Sequence, residues 1–239
     1  MRRLAPLLAA AALLLGGCGG DGEELVTERI GDGPAAVTIS RPEGLDDDVP
    51  VVLFLHGWGA TEPRAYRPWL EHLAREGNAV VYPRYQDSFA EPPAQVLGNV
   101  VLGVRAALER LDEDPGSLVA AGHSAGGALA SDYAAVARSV GLPVPRAVFA
   151  AYPGRRFAGA RIGIPEAGPI PRGVAVLALR GADDRVVDQG AAREIGARGR
   201  LVVVGAAGAR DHLAPQRDDL VSRREFWDRL DALIDAARG

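Results

Sequence analysis

Lysine is absent from this 239-residue chain: all 27 of its basic residues are arginine, which reads as a compositional bias and not as a binding device. Cysteine occurs once, at Cys18, so no intramolecular disulfide is possible in any compartment. Aromatic residues make up only 5% and histidines number four, His56, His72, His123 and His212. The formal charge of −4 gives no reason to expect a nucleic-acid partner. There is no internal repeat, no coiled-coil heptad pattern and no low-complexity stretch beyond a short glycine- and acid-rich run at 19–24. What remains, 48% apolar and 24% charged residues, is the composition of an ordinary globular protein of a length that suits one α/β domain.

The first residues stand apart from the rest. Met1-Arg2-Arg3 is a short positive region, Leu4 to Leu15 is apolar but short for a bilayer span, and Leu15-Gly16-Gly17-Cys18 follows. This resembles a bacterial lipoprotein signal, and the resemblance implies removal of residues 1–17 and lipidation of Cys18. The other reading is a stray cysteine behind an ordinary secretory signal. On the first, residues 18–35 are a flexible tether, 36–239 are the folded domain, and the protein is exported and held extracytoplasmically at the cell membrane by an N-terminal lipid anchor.

Downstream, Ala36 to Ser40 alternates like a strand with one wet face, and Val51 to Leu55 is a continuous apolar run suited to a strand buried on both faces. Ala79 to Tyr82, Ser117 to Ala121, Ala147 to Ala150, Val174 to Leu179 and Leu201 to Val204 repeat that type. Between them, Leu97, Val101, Val104, Leu108 and Leu111 step at helical spacing, as do Leu129, Tyr133, Val136 and Val140, and finally Phe226, Leu230, Leu233 and Ala237. This alternation predicts an α/β fold: a doubly wound, mostly parallel sheet with helices on both faces. Pro153 to Arg172, rich in Gly, Pro and Arg, reads as a loop or minimal lid.

The strand-like run Leu118 to Ala121 enters Gly122-His123-Ser124-Ala125-Gly126-Gly127 and a helical stretch follows. That setting marks a nucleophile elbow, with Ser124 on a strained strand-to-helix turn. A serine hydroxyl needs a base, and the base needs an orienting acid. His123 adjoins the nucleophile and points elsewhere around the turn, and His72 falls in the amphipathic helix expected over Thr61 to Arg75. His212, in the loop after the last core strand, is the only histidine after Ser124, and the order nucleophile, acid, histidine selects it. The acid belongs at the end of the preceding strand, in Gly181-Ala182-Asp183-Asp184-Arg185-Val186-Val187.

With these motifs in order the chain resembles the α/β-hydrolase family over roughly residues 37 to 237. The family's Gly-x-x-Asp-x-x-Val acid loop implies Asp184, with Asp183 and then Asp188 as alternatives. Leu55-His56-Gly57-Trp58-Gly59 resembles the family's oxyanion loop, which implies the backbone N–H groups of Trp58 and Ala125 as oxyanion donors and His56 as a structural brace. No metal or other cofactor is expected.

The implied activity is hydrolysis of carboxylic esters, small or lipid-like, through an acyl-enzyme. A peptidase or a polyester or thioester hydrolase is the nearer alternative; a non-catalytic surface lipoprotein that binds a ligand or partner is the more distant one. Trp58, Tyr66, Trp69, Tyr85, Phe89, Tyr152 and Phe157 are candidates for an apolar pocket, or for core packing. Arg155, Arg156, Arg161 and Arg172 could attract an anionic substrate, or form a solvated loop.

Overall fold

Side-chain alternation along the buried strands decides which helix covers which face of the sheet. The computed structural model describes residues 24–44, 49–111, 117–156 and 163–239; Cys18 and the signal expected over 1–17, with Phe157 and Arg161, lie outside them. Eight strands form one sheet: β1 (Leu25–Ile30), β2 (Val37–Pro42), β3 (Val51–Leu55), β4 (Ala79–Pro83), β5 (Leu118–His123), β6 (Ala147–Ala151), β7 (Ala175–Gly181) and β8 (Arg200–Val204). Their spatial order is β1-β2-β4-β3-β5-β6-β7-β8. β3 through β8 run parallel, and β2 is antiparallel to both of its neighbours. The expected doubly wound, mostly parallel sheet is present.

One expectation needs correction. The flexible tether expected over residues 18–35 is structured in its second half: Leu25–Ile30 pairs with β2 over six residues and Gly33–Ala35 forms a 3-10 turn. Leu-Val-Thr-Glu-Arg-Ile is half exposed, as an edge strand is, so it lacks the apolar density that announces the inner strands. Thr27 and Ser40 hydroxyls meet across the pair at 3.1 Å, and Arg110 reaches Glu28 at 2.8 Å.

On β3, Val51, Leu53 and Leu55 face one core while Val52 and Phe54 face the other. β4 and β5 divide in the same way, Val81 and Ala120 on the first side, Tyr82 and Ala121 on the second. The first core is closed by α2 (Val96–Leu111), α3 (Ala125–Val136) and Ile195 of α4 (Gly190–Gly196). The second is closed by α1 (Arg67–Arg75) and by the C-terminal helix α6 (Asp228–Arg238), which follows a π-helical turn, Arg223–Trp227. An apolar run that is continuous in sequence is therefore two half-strands in space, each with its own partners.

α3 lies unusually close to the sheet. A Cβ on Gly126 would fall 2.0 Å from the Leu55 carbonyl oxygen, and one on Gly122 would fall 2.3 Å from the Gly126 carbonyl oxygen. Both neighbours are backbone, so neither can swing aside. Gly126→Ala is expected to cost about 3 kcal/mol, a fall of roughly 6–12 °C in Tm for a domain of this size. Gly98→Ala, on an open stretch of α2 with nothing within 4 Å, is expected to hold or raise Tm. Thermal denaturation of the two variants tests the contrast.

Candidate active site

Ser124 joins β5 to α3 with φ 58° and ψ −122°, a conformation that side-chain-bearing residues rarely take. Such strain persists only where the surroundings over-determine it. Here the Ser124 N–H donates to the Ala151 carbonyl at 3.0 Å, while the Ser124 carbonyl accepts from Gly127 and Gly154 N–H at 3.0 and 3.1 Å. The hydroxyl is thereby lifted off the end of the sheet.

His212 Nε2 lies 2.9 Å from Ser124 Oγ, and His212 Nδ1 lies 2.7 Å from Asp184 Oδ2. A carboxylate can only accept, so Nδ1 carries the proton and the Nε2 lone pair faces the serine hydroxyl. Asp184 Oδ1 accepts from Val186 N–H at 2.9 Å, which fixes the carboxylate plane. All three residues are buried, at 2% (Ser124), 8% (Asp184) and 6% (His212) exposure. The other acids are placed elsewhere: Asp183 is exposed and pairs with Arg210 at 3.0 Å, and Asp188 accepts from Gly190 N–H at 2.8 Å where α4 starts.

Ala125 is the first residue of α3, where helix geometry leaves the N–H without an intrahelical acceptor and the dipole is positive. The loop after β3 faces it: a Cβ on Gly57 would lie 3.5 Å from Ser124 Cβ. On either side of Trp58 the amides are tied down, Gly57 N–H to Tyr66 Oη at 2.9 Å and Gly59 N–H to Gln86 Oε1 at 3.0 Å. The Trp58 indole N–H donates to the Phe89 carbonyl at 3.0 Å. His56 braces this loop as expected, its two ring nitrogens each 2.7 Å from a carbonyl, of Gly57 and of Arg84. Burial pulls its pKa down to about 4, so the neutral ring carries a single N–H and donates to one of these two carbonyls.

Of the aromatic candidates for a pocket, Tyr66, Trp69, Tyr85 and Tyr152 are core residues, each 2% exposed or less. The tyrosines act as props. Tyr85, at φ 36°, donates to the His56 carbonyl and stacks on the His56 ring at 4.0 Å; Tyr152, at φ 49°, donates to the Ala209 carbonyl in the His212 loop. Phe89 is 74% exposed and meets Trp58 edge to face. Arg155 is not a free cation: it grips the buried Asp132 of α3 through two bonds of 2.7 and 2.8 Å. Among the described residues no cluster of three or more His, Cys, Asp or Glu has the arrangement of a metal site.

A strained serine on the turn from β5 to α3, with an acid after β7 and a histidine after β8, sits on a mostly parallel sheet covered by helices on both faces. The chain has the α/β-hydrolase fold. A family model for that fold matches residues 52–168. Among solved structures, it is similar to an esterase of the bacterial hormone-sensitive lipase family (TM-score 0.67, 21% identity, 90% of this chain and 85% of that one). It is also similar to a Pyrobaculum calidifontis esterase (0.68, 19%, 89% and 85%) and to Rhizomucor miehei esterases (0.67, 18%, 91% and 85%). No curated protein sequence matches it.

In this α/β-hydrolase fold, His56 and His123 are both fully enclosed, and burial, followed for His123 by the neighbouring His212, holds the His123 pKa down to about 3. Both folded-state values lie below that of free imidazole. Between about pH 4 and 6.5 the unfolded chain therefore binds protons that the folded chain refuses, and stability falls as pH falls through that window. The expected slope is about 1 kcal/mol per pH unit for each histidine. Urea midpoints at pH 7 and pH 5 measure it, and His56→Gln should flatten the difference.

Proposed function

We propose that the protein is a serine-dependent carboxylic ester hydrolase that works through an acyl-enzyme. The observation that carries this reading is the continuous chain from Ser124 Oγ through His212 to Asp184. Ser124 Oγ attacks the ester carbonyl as its proton passes to His212 Nε2, and Asp184 stabilises the imidazolium so formed. The oxyanion accepts from the backbone N–H groups of Ala125 and Trp58. His212 then returns the proton to the departing alkoxide, the C–O bond breaks, and an acyl-Ser124 remains. Water, activated by the same histidine, releases the carboxylic acid and restores Ser124. The three esterases of similar fold support the choice of esters. A binding-only protein would not need His212 within 2.9 Å of the serine.

Ser124→Ala is expected to lower kcat/KM for short p-nitrophenyl esters by at least about 10⁴-fold and to abolish fluorophosphonate labelling. Asp184→Asn should lose about 10⁴-fold, because an amide fixes the wrong tautomer of His212. Asp183→Ala, which removes an exposed ion pair, should stay within twofold. A wild-type protein that turns over no ester and takes up no probe overturns the reading. Dipeptide, thioester and polyester panels run beside it distinguish the related hydrolases.

Residues 1–18 support anchoring of this enzyme by a lipid on Cys18. Among the described residues no helix is long and apolar enough to cross a membrane. The expected result is partition of the expressed protein into a detergent phase and loss of that partition in Cys18→Ser, measured by immunoblot.

A further inference from the structure

His123, the last residue of β5, takes no part in the mechanism above, yet its ring is fully enclosed and both nitrogens are engaged. Nε2 lies 2.8 Å from the His212 carbonyl oxygen and Nδ1 lies 2.7 Å from Tyr66 Oη. The proton positions follow from what each group can do. A carbonyl only accepts, so Nε2 carries the hydrogen. Burial keeps the ring neutral, so Nδ1 is a lone pair and Tyr66 must donate to it. Burial also pushes the Tyr66 pKa up to about 12, which keeps that hydroxyl a donor. The remaining capacity of Tyr66 Oη accepts from Gly57 N–H at 2.9 Å and from Gln216 Nε2 at 3.2 Å. Every member is satisfied, in one direction only: from Gly57 to Tyr66 to His123 to His212.

These four residues come from different parts of the chain that must meet for ester cleavage. Gly57 precedes the proposed oxyanion donor Trp58, His123 precedes the nucleophile, and His212 is the base. The relay attaches the main chain of the base to the residue beside the nucleophile, and attaches the oxyanion loop to the same ring. A shift of about 1 Å in such a constellation is enough to cost about 100-fold.

We propose that His123 and Tyr66 are positioning residues for catalysis, a hydrogen-bonded relay that sets the His212 loop and the oxyanion loop relative to Ser124. The proposal rests on the ester-hydrolase reading for its kinetic consequences. Neither side chain touches the reacting atoms, and neither is explained by packing alone: a Phe at position 66 fills the same volume but abandons both the Gly57 N–H and the His123 Nδ1.

The experiment compares wild type with Tyr66→Phe, His123→Leu, His123→Gln and the Tyr66→Phe/His123→Leu double variant. The readouts are p-nitrophenyl butyrate kinetics, the rate of fluorophosphonate labelling, Tm, and ¹⁵N-histidine NMR at pH 7. Tyr66→Phe and His123→Leu are each expected to lower kcat and the labelling rate by about 10- to 100-fold with KM within about twofold. His123→Gln, whose side-chain NH₂ can reach the His212 carbonyl, should recover most of the loss. The double variant should be no slower than the slower single, because one relay can be cut only once. In the spectra, His123 should carry its proton on Nε2, and the His212 ring resonances should move in Tyr66→Phe.

A kcat within threefold of wild type in folded Tyr66→Phe overturns the relay, and so do multiplicative losses in the double variant or no rescue by Gln. If His123→Leu does not fold, Tyr66→Phe and His123→Gln decide. If wild type cleaves no ester, the hydrolase reading fails and the spectra alone decide the relay: His212 resonances unmoved in Tyr66→Phe overturn it, and moved ones sustain it.

Discussion

The approach of α3 to the ends of β3 and β5 is the constraint on which the site depends. Contact at 2.0–2.3 Å from a virtual Cβ means that the helix can sit there only without side chains at 122 and 126. With the helix so placed, Ser124 joins strand to helix in a strained backbone conformation held by Ala151, Gly127 and Gly154. The same contact brings the Ala125 amide up beside the loop that leaves Leu55. Ser124, the N-terminus of α3 and the loop after β3 are thus brought together by one packing decision, made at two glycines without reactive side chains.

The remaining parts of the site are loops at the C-terminal edge of the parallel strands, where ligands bind in open α/β sheets. They are held from beneath by buried hydroxyl and imidazole groups that reach main-chain atoms: Tyr85 to His56, Tyr66 to Gly57, Tyr152 to Ala209, His123 to His212. Each bond has a net worth of about 1 kcal/mol, whereas a lost partner strands a buried group at about 1–3 kcal/mol. That asymmetry makes the network stiff. A small gain on formation is coupled to a larger penalty for any loop movement that opens it.

How far the chain can be read without coordinates follows from the kind of signal each residue leaves. Ser124, Asp184 and His212 stand in local patterns with a fixed order, and the structure brings those three together; Trp58 and Ala125 fall beside them. Val51 to Leu55 and its equivalents are so densely apolar that only a buried strand fits. β1 was illegible because an edge strand with one wet face resembles a polar linker. For Tyr66, Tyr85 and Tyr152 the choice between pocket and core stays open in the sequence, because aromatic identity does not say which way a ring points; burial decides for the core. Parity does say it: His123 follows Val119 and Ala121 at intervals of two, on the face that α1 covers and to which Tyr66 belongs. The Arg155 to Asp132 pair left no trace, since nothing local links residues 23 apart.

That ion pair changes how the loop after β6 bears on the site. Asp132 is fully buried, two turns into the helix that Ser124 starts, and an isolated carboxylate there would be prohibitively costly. It is tolerated because Arg155 supplies two charge-assisted bonds and Ala167 N–H supplies a third at 3.1 Å. Arg155 and Ala167 both lie within the Pro153 to Arg172 segment expected to serve as a minimal lid, so that segment is pinned to α3 at two points. The helix that follows Ser124 therefore also holds this segment in place. Arg155 is consumed in doing so, its charge neutralised against the buried carboxylate of the helix.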